Sequence, residues 1–271
     1  MTTTTPTRPA LRGSTRPFGS SVRAEWIKFW TLVSNRILVG IAVLFVPLNA
    51  LLLSTSLRQR AEDPDPAVHI PSVGYLTFLD SVLWLQLLIA VIAVLAASSE
   101  NGGKIGMSFL AIPTRLPVLG AKAIVVTLVS FAAGAVGAAA GQLLPYALLS
   151  GVDVTYVADG ADIVWTSLAS GLYLGLIAAI SLGIMMLVRN LIVGLLLPLA
   201  LYTIVPSVIG SVGGETGSQI SGFFPTVAGR TAISAMENPA GLDGTAGFLI
   251  MVAWAIVVLI GAGLRYRFGD V

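Results

Sequence analysis

Long apolar runs alternate with short polar ones along this chain. Six of the runs are long enough to cross a bilayer: Ile37 to Leu57, Tyr75 to Ser98, Val118 to Ser150, Ile163 to Val188, Leu191 to Ile209 and Thr245 to Leu264. A spanning helix takes about 20 predominantly apolar residues. Lipid leaves free peptide groups unsatisfied, so a span is a helix or part of a closed barrel, and these runs are continuously apolar where barrel strands alternate. The pattern predicts an all-α polytopic membrane protein with six transmembrane helices, occupying residues 37–264.

Ahead of the first span, residues 21–36 place Val22, Trp26, Phe29 and Val33 at helical spacing, with Glu25, Lys28, Thr31 and Asn35 on the other side. An amphipathic helix in the membrane interface fits this pattern, with Trp26 and Trp30 at headgroup depth and Lys28 facing anionic lipid. The alternative is a first span that simply begins early. Residues 1–20 are polar, basic and rich in Pro and Thr, without an apolar centre. They read as a disordered tail and not as a signal peptide. Residues 265–271 form a second short tail.

Composition narrows the class further. Hydrophobic residues make up 56% of the 271 and charged residues 10%, against about 25% charged in an ordinary soluble domain, which leaves no room for a soluble catalytic unit. Of fifteen Lys and Arg residues, counting outward through six spans puts twelve on the side of the N-terminus and three, Arg58, Arg60 and Arg230, on the other. The positive-inside rule then places both termini in the cytoplasm. The basic residues are sorted by side, not gathered into a patch interleaved with aromatics, so no nucleic-acid partner is expected. With no cysteine and one histidine, His69, thiol chemistry and histidine-ligated metal centres are not expected.

Catalytic motifs are missing from the sequence. There is no His-Glu-x-x-His helix and no Gly-x-Ser-x-Gly elbow, and Gly102-Gly103-Lys104-Ile105 lacks the glycine spacing and the Ser or Thr of a phosphate-binding loop. The chain is therefore expected to be no enzyme by itself and to bind no ATP, cofactor or metal. Packing signals are stronger. Ala133, Gly137 and Gly141 form a small-residue stripe in the third span, and Ser167, Gly171, Gly175, Ala179 and Gly183 form another through the fourth. Such stripes serve helix packing within a chain or at a moving interface.

In the second span, Gln86, Ala90, Ala93, Ala97 and Glu100 fall within about 40° of one line on a helix, a narrow face that suits either a substrate path or packing. Asp80, near the outer end of this span, is an intramembrane ionisable residue within reach of water. Asp80 and Gln86 together would suit an ion-coupled carrier. The third run exceeds the bilayer, so its helix tilts, protrudes, or breaks near Pro145. The one inner connection long enough for a structured element is residues 99–117. There, Ile105, Phe109 and Ile112 share one helical face stopped by Pro113, a short amphipathic helix over residues 103–113 suited to docking a partner.

Taken in order, Glu25-Trp26-Ile27-Lys28 before the first span, Ser99-Glu100 closing the second, Gly-Lys-Ile at 103–105, Leu110-Ala111-Ile112-Pro113-Thr114-Arg115, and Ala121-Lys122 opening the third resemble the permease subunits of ABC transporters of the type-2 exporter class, particularly actinobacterial ones. The resemblance covers the six-span layout, and its sequence-specific part is confined to residues 23–122. It implies a dimer of permeases, with a second copy or a homologous one, in the plasma (inner) membrane, bound to separately encoded ATPase subunits that carry ATP and Mg. Residues 21–36, with Trp26, Lys28, Phe29 and Trp30, would be its elbow helix. Residues 103–113 would be its coupling helix, with Glu100, Lys104, Ile105, Phe109, Ile112, Pro113 and Arg115 meeting the ATPase. Residues 211–244, with Phe223-Phe224-Pro225, would match a partly re-entrant segment before the last span. Asn101-Gly102-Gly103 departs from the aromatic and arginine usual after the glutamate, and from the usual spacing to the isoleucine. The implied cargo is hydrophobic, amphipathic or peptide-like. A non-transporting membrane scaffold or immunity protein stands as a further alternative.

Overall fold

The computed structural model describes residues 18–63, 70–98, 115–233 and 237–268. Helix α1 (Phe18–Thr31) precedes α2 (Val33–Ala61). Strand β1 (Ser72–Gly74) and a 3-10 turn (Tyr75–Leu79) lead into α3 (Asp80–Ser98). Then come α4 (Arg115–Leu148), β2 (Thr155–Val157) and α5 (Gly160–Val188). Helix α6 (Leu191–Leu199) passes through a π turn (Ala200–Ile204) into α7 (Val205–Val212). Two short helices, α8 (Gly214–Ser221) and α9 (Pro225–Arg230), precede α10 (Gly244–Phe268).

Six segments are long and apolar enough to cross a membrane: Val33–Ala61, Tyr75–Ser98, Pro117–Leu148, Gly160–Val188, Leu191–Val212 and Gly244–Arg265. They coincide with the six apolar runs, and the chain is an all-α polytopic membrane protein. The helix expected over residues 21–36 starts earlier, at Phe18, and stops at Thr31, because Leu32 takes an extended conformation (φ −78°, ψ 117°) and separates α1 from α2. Asn190 makes the turn from α5 to α6 tight: its side chain accepts from the amides of Ile192 and Val193, while Arg189 closes α5 in the left-handed conformation (φ 58°).

Proline acts differently in different spans. Both α2 and α4 run through their internal prolines, Pro47 and Pro145, so the third span does not break. Its 34 residues extend over about 51 Å at 1.5 Å per residue, longer than the ~30 Å of hydrocarbon. In the fifth span, Pro198 and Pro206 flank the π turn. A proline lacks its amide hydrogen and crowds the carbonyl four residues back, which for Pro206 is that of Tyr202. The wider turn around Tyr202 makes room for it.

Helix α5 is the axis of the bundle. Of its apolar window 78% is buried, against 28% for α2, 22% for α6–α7 and 28% for α10, so α5 is enclosed by protein while the other three meet lipid along most of their surface. The small-residue stripes explain how close its neighbours come. A Cβ on Gly171 would lie 2.7 Å from the Phe131 carbonyl oxygen of α4, and one on Gly175 would lie 3.3 Å from that of Thr127. Gly137 and Gly141 bring the other side of α4 onto α2, where an added Cβ would lie 3.2 Å from the Val43 carbonyl oxygen or collide with Val46. Both stripes pack helices within this chain.

At one end of the bundle β1 and β2 pair in parallel, Val73 opposite Tyr156. Val73, Phe78, Leu149 and Val154 form a small apolar cluster there, and the rings of Phe78 and Tyr146 meet Tyr156 edge-on. We call this the ribbon end, and the opposite end, where α1 lies, the α1 end.

Candidate functional site

At the α1 end a buried ion pair joins three helices. Lys122 Nζ lies 3.0 Å from Glu25 Oε2 and donates to the Ala96 carbonyl oxygen at 3.1 Å. Lys28 Nζ stands 3.5 Å from the other Glu25 oxygen. The Lys122 and Glu25 side chains are only 5% and 11% exposed. Asn35 Nδ2 donates to the Phe29 carbonyl oxygen at 3.1 Å and is buried, tying α1 to α2 across the break at Leu32. Phe29 packs inward, while Trp26 and Ile27 face outward.

This arrangement corrects the simple amphipathic reading of residues 21–36. Glu25 and Asn35, assigned to the polar outer side, point into the protein, and Trp26, assigned to the apolar side with Phe29, does not share its burial. The cause is electrostatic. A cation supplied by α4 turns the acidic edge of α1 inward, and the exposed Trp26 and Ile27 suit an interface that lipid covers.

The anchor sits on either side of residues 99–114. Ala96 lies two residues before the end of α3, and Lys122 two turns into α4. Glu100, Lys104, Ile105, Phe109, Ile112 and Pro113, the residues assigned to partner docking, lie outside the described residues, as does the side chain of Arg115, which opens α4.

Deeper in the bundle, polar side chains form closed bridges. Gln86 Oε1 accepts from Tyr173 Oη at 2.5 Å and from Thr226 Oγ1 at 3.0 Å. Thr226 belongs to α9, which therefore dips into the bundle as far as α3 and α5; Gly229 allows this, since a Cβ there would collide with Tyr173 and Met251. In α4, Gln142 accepts from Thr166 Oγ1 at 2.9 Å and donates to Ser167 Oγ at 3.0 Å. Tyr202, in the π turn, lies 2.8 Å from Ser181 Oγ, both buried. Each bridge ends on α5.

Gln86, Ala90, Ala93 and Ala97 are all buried, at 3%, 5%, 0% and 3% exposure. The face of α3 that they form is packed against the bundle and not open as a path. Asp80 opens α3 and is exposed. It lies six positions before Gln86, which sets the two about 120° apart around the helix. They do not converge on one ion site. Gln142, Tyr173, Tyr202 and Thr226 were missed in the sequence. Gln142 carried a usable signal as the single amide of the third apolar run; the hydroxyl partners carried none, because nothing local says which helix they face.

The fold and its anchor define a six-span membrane protein whose first helix, α1, is fastened to both spans that flank residues 99–114. No family model matches the chain, and no curated protein matches it.

Proposed function

We propose that this chain is the transmembrane subunit of an ATP-driven exporter of the type-2 ABC class, working as a dimer with separately encoded ATPase subunits that bind ATP and Mg. It sits in the plasma (inner) membrane with both termini in the cytoplasm and moves a hydrophobic, amphipathic or peptide-like cargo outward. The observation that carries this reading is the Glu25–Lys122–Ala96 anchor. A force applied to residues 99–114 by a partner reaches α3 and α4 together, and the anchor commits α1 to the same movement. Residues 103–113 supply the docking helix, with Phe109 at the centre of its apolar face. The spans that respond are the second, which carries the buried alanine face, and the fifth, which carries the π turn, a feature frequent at functional sites.

Separation of Asp80 from Gln86 weighs against the ion-coupled carrier, which needs the two at one site. The deciding experiment is purification of the chain from its native membrane. An ABC ATPase is expected to co-purify, and Phe109→Asp is expected to abolish that association while the permease remains monodisperse. Transport retained in vesicles stripped of ATPase would overturn the reading.

A further inference from the structure

Toward the ribbon end, α2 and the start of α3 diverge enough to leave a groove of about 350 Å³, within the ~300–1,000 Å³ of small-molecule sites. Asn49 and Leu52 line it from α2, and Thr77, Asp80, Ser81 and Trp84 from the other wall. On α3, Asp80 and Trp84 are one turn apart on the same face. The groove opens toward lipid, where Leu52 and Trp84 are 61% and 68% exposed.

Its polar groups leave acceptors facing the groove. Asp80 is the single charged residue among those lining the groove, and among the described residues it has no cationic partner. Asn49 uses its Nδ2 on the Phe45 carbonyl oxygen at 2.8 Å, which leaves its Oδ1 as an acceptor. Hydroxyls of Thr77 and Ser81 add oxygen lone pairs. Beside these acceptors stand an indole, whose face attracts a cation, and an apolar wall that suits a hydrocarbon chain. An exposed carboxylate at the end of a span, beside an apolar wall, favours an opposite charge, and one carboxylate matches one positive charge.

We propose that this groove is a binding site for alkylammonium compounds, a primary amine on an apolar chain, with the ammonium on Asp80 and Asn49 and the chain along Leu52 and Trp84. The site stands whether or not an ATPase drives the protein. An exported cationic amphiphile and the amine headgroup of a membrane lipid share this chemistry.

The test uses the full chain in maltoside micelles, with 10-bromodecylammonium as the probe and quenching of Trp84 fluorescence as the readout. Saturable quenching is expected that Trp84→Phe removes, together with binding that Asp80→Asn weakens about tenfold, the effect of ~1.4 kcal/mol and within reach of one charge-assisted hydrogen bond. Leu52→Phe, which narrows the groove without touching its charge or adding an indole, is expected to weaken binding of the probe. Displacement by phosphatidylethanolamine assigns the site to a lipid headgroup, and resistance to it assigns the site to a free amphiphile. Equal quenching by 10-bromodecanol, unchanged affinity in Asp80→Asn, or no saturable quenching overturns the proposal. The last is also the result if a second copy of the chain covers the groove. ATPase co-purification reads the exporter assignment separately, so failure of either leaves the other standing.

Discussion

Replacing Lys122 with Met keeps the length of the side chain and removes its charge, which isolates what the buried ion pair does for α1. At 3.0 Å and an effective dielectric of ~20, the attraction amounts to about 5–6 kcal/mol. Desolvating two ions offsets most of this, at several kcal/mol each. The intact pair therefore contributes little net stability, but a lone Glu25 carboxylate at 11% exposure has lost its main compensation. Removing one partner of such a pair costs about 3–5 kcal/mol, and Lys28 at 3.5 Å holds the expected value near the lower end. If that cost appears as detachment of α1, opening of residues 18–31 increases by about two orders of magnitude, at 1.4 kcal/mol per factor of ten. Hydrogen exchange of the purified protein in nanodiscs reads this directly. Lys122→Met is expected to expose the α1 amides about a hundredfold more often, whereas the double variant Glu25→Gln/Lys122→Met restores protection to within about tenfold of the parent. Equal protection of α1 in all three proteins, or a double variant as open as the single, would refute the reasoning.

Other consequences are simpler to measure. Gln86→Leu strands the hydroxyls of Tyr173 and Thr226, at about 1–3 kcal/mol for each left without a partner, and thermal unfolding should show the loss together with freer exchange in residues 225–230. Gly247→Ala places a Cβ 2.0 Å from the Ala228 carbonyl oxygen and is expected to lower stability by about 1–3 kcal/mol or more; Gly261→Ala, whose nearest neighbour would be 3.5 Å away, should unfold with the parent. The chain contains no cysteine, so single cysteines report sidedness without background. Ser72→Cys is expected to react with an impermeant maleimide added outside intact cells and Gly19→Cys only after lysis; the reverse pattern would invert the proposed orientation.

What could be read from the sequence was whatever depended on one helix at a time. The six spans followed from run length, and the small-residue stripes through Gly137, Gly141, Gly171 and Gly175 marked real close contacts. Pairings between distant segments were not legible. Glu25 fell on the polar side of its helix by spacing alone, and only the position of Lys122 in the folded bundle explains why it faces inward. The polar face around Gln86 suited a path equally well until α9 was seen to close it with Thr226. Proline was ambiguous for a similar reason. Pro47 and Pro145 leave their helices continuous, while Pro206 accompanies a π turn, and that difference rests on how neighbours accommodate the backbone.

The central position of α5 has a consequence for how the protein is made. Spans leave the ribosome in order, so α5 enters the membrane after α3 and α4, but before α6 and α10 exist to cover its remaining faces. It is equipped for the wait. Ser170 and Ser181 donate to carbonyl oxygens of their own helix at 2.8 Å, so these hydroxyls are satisfied in lipid without any partner. Tyr202 instead brings its hydroxyl to Ser181 from a later span, at a point where α5 is already paired internally. The last-made third of the chain thus docks onto a helix whose Ser170 and Ser181 hydroxyls are already paired.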